Sequence, residues 1–579
     1  MEPSDPATTV AAIVVALGLT SVVVPLLALA VQRRYRRAVH RSMLRSASGP
    51  GGGPPRSAPP ALPPAASRPP SAGAPVEVRW LLADRAHPPT HDPLAQELQG
   101  RVLRRRRRAM VVAGLGSLTF GGVVAVLMVL SDPELVAGPF LLLLLTVLFA
   151  WPGLLAVGHV AGWRPGRSAS ALLLHLAVVG VVGAMRGSAG LVLVAAGVMV
   201  LGGLLLLPLT HPRIRATAPF LAAGVLVATV LLVLLAPGGW LWLAERIDPL
   251  LALLVVGGAS LAAGGLVAAG VIVGVARRYE RRGTSDRSLL ITQWWMVYAA
   301  FTGLFLTFQG RWWGLAGAVL PLLALLAVTA AGTRLLLSER DAGPQELRLL
   351  LLRPFRSRRH SEQLFADVGR HWRELGRVQL IAGPDLATAS LEPHEFLDHV
   401  RGRLDRRFVV DAADLERRLA DGHGHRDRDG RFRSEGFFCH DDTWRLTVRR
   451  LASGCALVLL DARGFTGRDR GLAWELTTLV QHEPLERVVV SVDETTDPEA
   501  VLEVVRAAAD HLPSTSPNHG RDVLTVRVLR LDDPPPGLDP YLVTLCAAVA
   551  TASSAGADEA RGAAPPTAAL VPPAGGTGA

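Results

Sequence analysis

Between residues 8 and 337 the chain is dominated by long runs of leucine, valine, alanine and glycine, several of them free of charge, as from Leu141 to Val147. A bilayer crossing needs about 20 mostly apolar residues. The runs suggest nine spans, at about 8–31, 110–131, 139–163, 168–185, 190–210, 217–237, 249–276, 288–309 and 314–333. The fourth is the shortest; it and the fifth would alternatively form one re-entrant hairpin. The expected fold class is therefore an α-helical transmembrane bundle of about nine spans, followed by a cytoplasmic α/β domain with a doubly wound, mostly parallel sheet.

Charge sets the expected sidedness. Glu2 and Asp5 precede the first run, and Arg33, Arg34, Arg36 and Arg37 follow it. Basic loops stay cytoplasmic, so the N-terminus is expected outside, in the bacterial manner of a multi-pass cell-membrane protein. Alternation then puts Arg104 to Arg108, Arg164 and Arg167, Arg213 and Arg215, and the cluster from Arg277 to Arg282 on the same cytoplasmic side. The first run lacks a basic leader, which favours an uncleaved anchor over a signal peptide. Inside the runs the ionisable residues are His159 and His175, and their plain reading is helix packing rather than a proton relay. Gly270 and Gly274 form a G-x-x-x-G step that would let helices approach closely.

The expected domain plan is a first span at 1–32, a basic cytoplasmic linker at 33–109, an eight-span bundle at 110–337, an α/β domain at 344–552 and a disordered tail at 553–579. Residues 45–78 are rich in Pro, Gly, Ser and Ala, a composition that cannot bury a core. The five arginines Arg104 to Arg108 abut a run. They read first as a topology signal and second as a site for anionic lipid.

Composition excludes several chemistries. The 579 residues carry a net charge of +11, yet every one of the 60 basic residues is arginine, and Asn518 is the lone asparagine. A P-loop and a protein kinase both need a lysine, and a pyridoxal-phosphate enzyme needs one for its Schiff base. The arginines cluster beside apolar runs rather than forming a groove with interleaved aromatics, so nucleic acid is not an expected partner. The three cysteines, Cys439, Cys455 and Cys546, are too few and too scattered for a disulfide framework.

From 344 onward, apolar strands alternate with helices: 347–355, 377–383, 455–461, 487–493 and 523–531 read as strands. Ligands of such folds bind beyond the carboxyl ends of the strands. The candidate ligand-binding residues there are Arg353, Phe355, Asp385, Asp461, Arg463 and Trp474, with Asp493 also at a strand end. An ordinary set of loop caps would look similar.

The order LLLLRPFRSRRHSEQLFADVGRHWRELG, then LASGCALVLLDARGFTGRDRGLAWELTTL, resembles a TIR domain over about 150 residues. In TIR enzymes that cleave NAD a glutamate on the later helix is catalytic. The resemblance thus implies Glu475 as catalytic residue and NAD as substrate; for such an enzyme, Arg353 and Arg463 at the strand ends are the expected phosphate contacts. Trp474 is adjacent to Glu475 rather than separated from it as in that family, and the insertion from 384 to 440 is much longer. The chain also resembles bacterial multi-span membrane proteins with an LLLLR-x-F…D-x-DGRF…FFC-x-DD-x-W domain, here Arg353–Phe355, Asp427–Phe432, Phe437–Cys439 and Asp441–Trp444. That likeness implies organisation, not chemistry.

In the insertion, His423, His425, Asp427, Asp429, Cys439 and His440 do not follow a calcium-loop or zinc-site spacing. No metal and no bound cofactor is expected. The default is a charged loop folding over the sheet rim, with Phe437, Phe438 and Trp444 beneath. The functional expectation is a membrane-anchored signalling or defence protein whose α/β domain binds a nucleotide or a protein partner, including a second copy. The alternatives are a transporter or channel with a regulatory domain, and a non-enzymatic membrane scaffold.

Overall fold

The computed structural model describes residues 6–45, 75–81, 92–131, 138–163, 165–185, 242–243, 245–308, 314–337, 346–353, 358–383, 398–399, 401–421, 426–530 and 540–562, with Gly203 and Glu395. Two compact units emerge, one of residues 1–63, 100–346 and 355–448, the other of 64–99, 347–354 and 449–579.

The first unit carries the apolar helices α1 (Pro6–Met43), α2 (Pro93–Ser131), α3 (Pro139–Phe149), α4 (Pro152–Ala161), α5 (Pro165–Met185), α6 (Pro249–Glu280), α7 (Asp286–Phe308) and α8 (Gly314–Leu336). Nine spans is an overestimate. Among the described residues three helical stretches are long and apolar enough to cross a membrane, Pro93–Leu130, Ala262–Glu280 and Ala316–Leu336, or four if a bent pair is one span. That pair is α3 and α4, which meet at 55° where one continuous span was expected. The apolar part of α5 runs only from Gly166 to Val182, too short at 1.5 Å per residue for a 30 Å hydrocarbon layer. The first and eighth expected spans lie in α1 and α7, neither of which is among the three; α7 carries buried Gln293, Trp294, Trp295 and Tyr298. The fifth and sixth expected spans lie outside the described residues. Apolar composition marks each run, but only an unbroken helix of sufficient length satisfies its backbone across hydrocarbon.

Aromatic rings fill the core of these helices. Phe120 lies 4.8 Å from Trp295 between ring centroids, Trp151 meets Tyr298 edge-on at 5.4 Å, and His159 meets Trp294 edge-on at 5.6 Å. Close approach is provided by Gly121 and Gly153. A methyl group at Gly121 would fall on the carbonyl oxygen of Thr146, and one at Gly153 on the Ser117 side chain. At Gly270 and Gly274, by contrast, an added methyl meets nothing within 4 Å. Gly121→Val is therefore expected to cost about 1–3 kcal/mol by overpacking, while Gly270→Ala leaves the thermal midpoint of the detergent-solubilised protein unchanged or slightly raised. Equal effects at the two positions would refute this packing.

The α/β elements that follow are β2 (Leu347–Leu352), α9 (Arg358–Trp372), β3 (Gly376–Ile381), β4 (Phe408–Val409), α10 (Ala412–Asp421), β5 (Ser434–Cys439), α11 (Trp444–Ala452), β6 (Leu457–Asp461), α12 (Arg470–His482), β7 (Val488–Val492), α13 (Pro498–Ala509), β8 (Leu524–Arg530) and α14 (Pro540–Gly562); an early strand, β1 (Val76–Trp80), joins them. The sheet has eight strands in the order β1-β8-β7-β6-β2-β3-β5-β4, and every described pair is parallel. The apolar strands β6 and β7 are buried along their whole length, as expected of parallel strands covered on both faces.

The subset β8-β7-β6-β2-β3 follows the doubly wound flavodoxin-like order, in which the chain reverses direction at the boundary between β2 and β6. In the second unit β2 and β6 pair in register from Leu349 and Leu457 to Leu352 and Leu460, so their carboxyl ends stand side by side.

Candidate functional site

The second unit places four of the expected residues around that reversal point. Arg353 directly follows β2 and is buried. Asp461 is the last residue of β6, and its carboxylate is 2% exposed for the residue as a whole. Two residues on, Arg463 folds back and donates from Nε to Oδ1 at 2.7 Å and from Nη2 to Oδ2 at 2.9 Å. Such a fork fixes both groups. Ser491 Oγ, on the neighbouring β7, donates to Asp461 Oδ1 at 3.1 Å.

The return of Arg463 depends on the turn that follows, where Gly464 adopts a φ of 72°, open to glycine without strain. Thr496 stitches this turn to the end of β7. Its hydroxyl accepts from the Gly464 amide at 3.3 Å and the Asp493 amide at 3.0 Å, and it lies 3.2 Å from the Ala462 carbonyl oxygen. Burial disfavours the charged form of Asp493, but hydrogen bonds from Thr495 and Thr496 and the nearby Arg463 guanidinium outweigh it and hold its carboxyl below the usual range.

Glu475 sits in the second turn of α12. Asp469 caps that helix by accepting from the Gly471 and Leu472 amides, which aims the helix N-terminus at the same end of the sheet. Glu475 is only 6% exposed. Burial pushes its carboxyl up to about 8, the Asp469 charge adds to the rise, and the Arg353 guanidinium opposes it. At neutral pH the group is therefore a carboxylic acid, able to donate a hydrogen bond or a proton. Trp474 is half-buried and has the Arg449 guanidinium 5.5 Å from its ring. Phe355 and Asp385 lie outside the described residues.

A second concentration of charge, not anticipated from sequence, lies in the first unit, where residues of α1, α2, α6 and α7 meet residues 373–374, 405 and 427–440. Glu374 accepts from Arg287 at 3.2 Å and pairs with Arg431 Nε at 3.3 Å. Arg105 of α2 donates to the carbonyl oxygens of Glu374 and Gly430 at 3.1 and 2.9 Å. Arg433 pairs with Asp427, donates to the Tyr279 carbonyl and lies 3.6 Å from the centroid of the Tyr279 ring. Ser285 Oγ donates to Asp429 at 2.6 Å, and Arg373 pairs with Asp286 at 2.9 Å. On α1, Ser42 Oγ donates to Asp405 at 2.6 Å and the Ser42 carbonyl lies 2.9 Å from His440 Nδ1. Burial pushes the Asp427 carboxyl up to about 6 against the pull of Arg433.

The D-x-DGRF segment thus bonds the helix ends instead of folding over the sheet rim, and Phe437 and Phe438 are buried beside it in β5. Its one legible signal was an unusual density of alternating acid and arginine. Cys439 is buried, with Sγ 3.4 Å from Thr447 Oγ1. Among the described residues no group of three or more His, Cys, Asp or Glu side chains could hold a metal ion.

Strand order and the strand-end cluster together define a doubly wound α/β protein joined to apolar helices. Comparison with family models, with curated proteins and with solved structures returns no match.

Proposed function

We propose that the chain is a membrane-anchored signalling protein whose α/β domain binds a nucleotide at the carboxyl ends of β2 and β6. The observation that carries this reading is the meeting of Arg353, the Asp461–Arg463 fork and the buried acid Glu475 at the reversal point of a parallel sheet, the place where open α/β sheets take their ligands. The basic ends of α1, α2 and α6 support a location of the α/β part on the cytoplasmic face. The network at 427–433 supports communication, because it bonds α2 through Arg105 and α6 through Tyr279 to the insertion of the α/β fold.

Calorimetric titration of the full-length protein in detergent with ATP, GTP and NAD tests the reading. Saturable binding of at least one is expected, and Arg463→Ala should weaken it tenfold or more, given about 1.5–3 kcal/mol for a hydrogen bond to a charged group. Absence of binding by all three, or an unchanged affinity in a folded Arg463→Ala protein, would overturn it. If NAD binds, nicotinamide release that Glu475→Ala abolishes would extend the proposal to NAD cleavage.

A further inference from the structure

We propose that the arginine-bearing turns of α1, α2 and α6 form one docking surface for anionic lipid headgroups; this rests on the membrane reading above and names its lipid partner. The evidence is how each helix sorts its side chains by face. On α2, Arg104, Arg107, Val111, Leu115 and Leu118 are all exposed, and their spacing of three and four residues puts them in one stripe. That stripe passes directly from guanidinium to hydrocarbon. Between the two exposed arginines, Arg105 points the other way and is buried against Glu374 and Gly430.

The same sorting recurs twice. On α1, exposed Leu26 and Leu27 lead into exposed Arg33, Arg34 and Arg37, while Tyr35 is buried and bonded to Glu395. On α6, exposed Leu266 and Val267 lead into exposed Arg277, Arg278 and Arg281, while Tyr279 is buried against Arg433. The inward residues of all three arginine-bearing turns bond within residues 395–441, Tyr35 to Glu395, Arg105 to Gly430 and Tyr279 to Arg433. Among the described residues none of these eight arginines has a carboxylate ion-pair partner. A topology signal requires positive charge near the ends of apolar runs; it does not require that charge to continue an exposed apolar stripe on three helices. A leaflet supplies both complements at once, acyl chains for the leucines and phosphates for the arginines.

The test uses the full-length protein and spin-labelled phosphatidylglycerol and phosphatidylcholine. Flotation with phosphatidylcholine vesicles is measured first, and failure to float would sink the membrane reading and this inference with it. In phosphatidylcholine bilayers doped with either probe, the wild type should immobilise phosphatidylglycerol several-fold in preference, on a scale of about fivefold per engaged arginine, and the preference should fall at high salt. The variant R104Q/R107Q/R277Q/R278Q should lose most of that selectivity, whereas R104K/R107K/R277K/R278K, which keeps the charge, should retain it. A floating wild type without selectivity, or a glutamine variant that keeps it, would overturn the inference while leaving the membrane reading intact.

Discussion

Replacing Glu374 with alanine is expected to cost about 3–5 kcal/mol of stability, the range for removing one partner of a buried ion pair. Its side chain is 3% exposed and stands between Arg287 and Arg431, whose side chains are 9% and 8% exposed. Without it, two guanidinium groups face each other in a medium that solvates them poorly; burial already lowers the pKa of Arg431, and the nearby Arg287 guanidinium adds to the fall. The loss falls on a joint as well as on a fold, because Arg287 belongs to α7 and Arg431 to the D-x-DGRF segment. Denaturant unfolding followed by tryptophan fluorescence should show a lowered midpoint for Glu374→Ala. Glu374→Met combined with Arg287→Met should be milder than the sum of the single changes, because an apolar pair leaves less buried charge unpaired. A Glu374→Ala loss below about 1 kcal/mol, the scale of an exposed pair, would show that the network is open to water.

Glu475→Gln should act in the opposite direction, and increasingly as pH rises above 4.5. The folded-state value of Glu475 is raised from 4.5 to about 8. Between those limits the folded protein holds a proton that the unfolded chain has released, so stability falls as pH rises. The contribution is complete below 4.5 and is lost as pH climbs through about 8. At roughly 1.4 kcal/mol per unit, ionising this carboxyl costs several kcal/mol at the alkaline end. Glutamine keeps the shape and never ionises. The variant should match the wild type in acid and unfold at a distinctly higher temperature near pH 8. Asp427 and Glu483, raised by burial to about 6 and about 7, impose slopes of the same sign on both proteins, so the difference between the two curves isolates Glu475. Parallel curves would mean that Glu475 is solvated. If the same substitution also removes nicotinamide release, the stability gain and the functional loss would mark a group kept neutral for use.

The central strands were legible because burial on both faces demands mostly apolar residues, and β2, β6 and β7 have them. Glu435 and Gly436 made β5 read as loop, and β1, with alternating Val76, Glu77 and Val78, lies at the edge of a Pro/Gly-rich stretch. Asp461, Arg463 and Glu475 could be picked out because strand ends collect ligand groups whatever the ligand is. Ser491 and Thr496 could not, since a hydroxyl gains its role only from the carboxylate or carbonyl it meets. The network around Glu374 was invisible for another reason: its partners are far apart in sequence, as Ser42 is from Asp405, and no local pattern encodes their meeting. Counting spans failed where apolar composition outran helix length and continuity, in α5 and at the bend between α3 and α4.

Strand β1 carries a last consequence, for synthesis. It pairs with β8, from Val76 on Leu524 to Trp80 on Val528, so the first of the described strands to leave the ribosome has no neighbour until the last of them arrives. Until then β1 has no partner, and an unpaired strand recruits other chains. A fragment begun at residue 344 would keep the outer edge of β8 bare for good. The soluble-looking half of this protein therefore cannot be cut free at its apparent boundary without losing the strand that closes it.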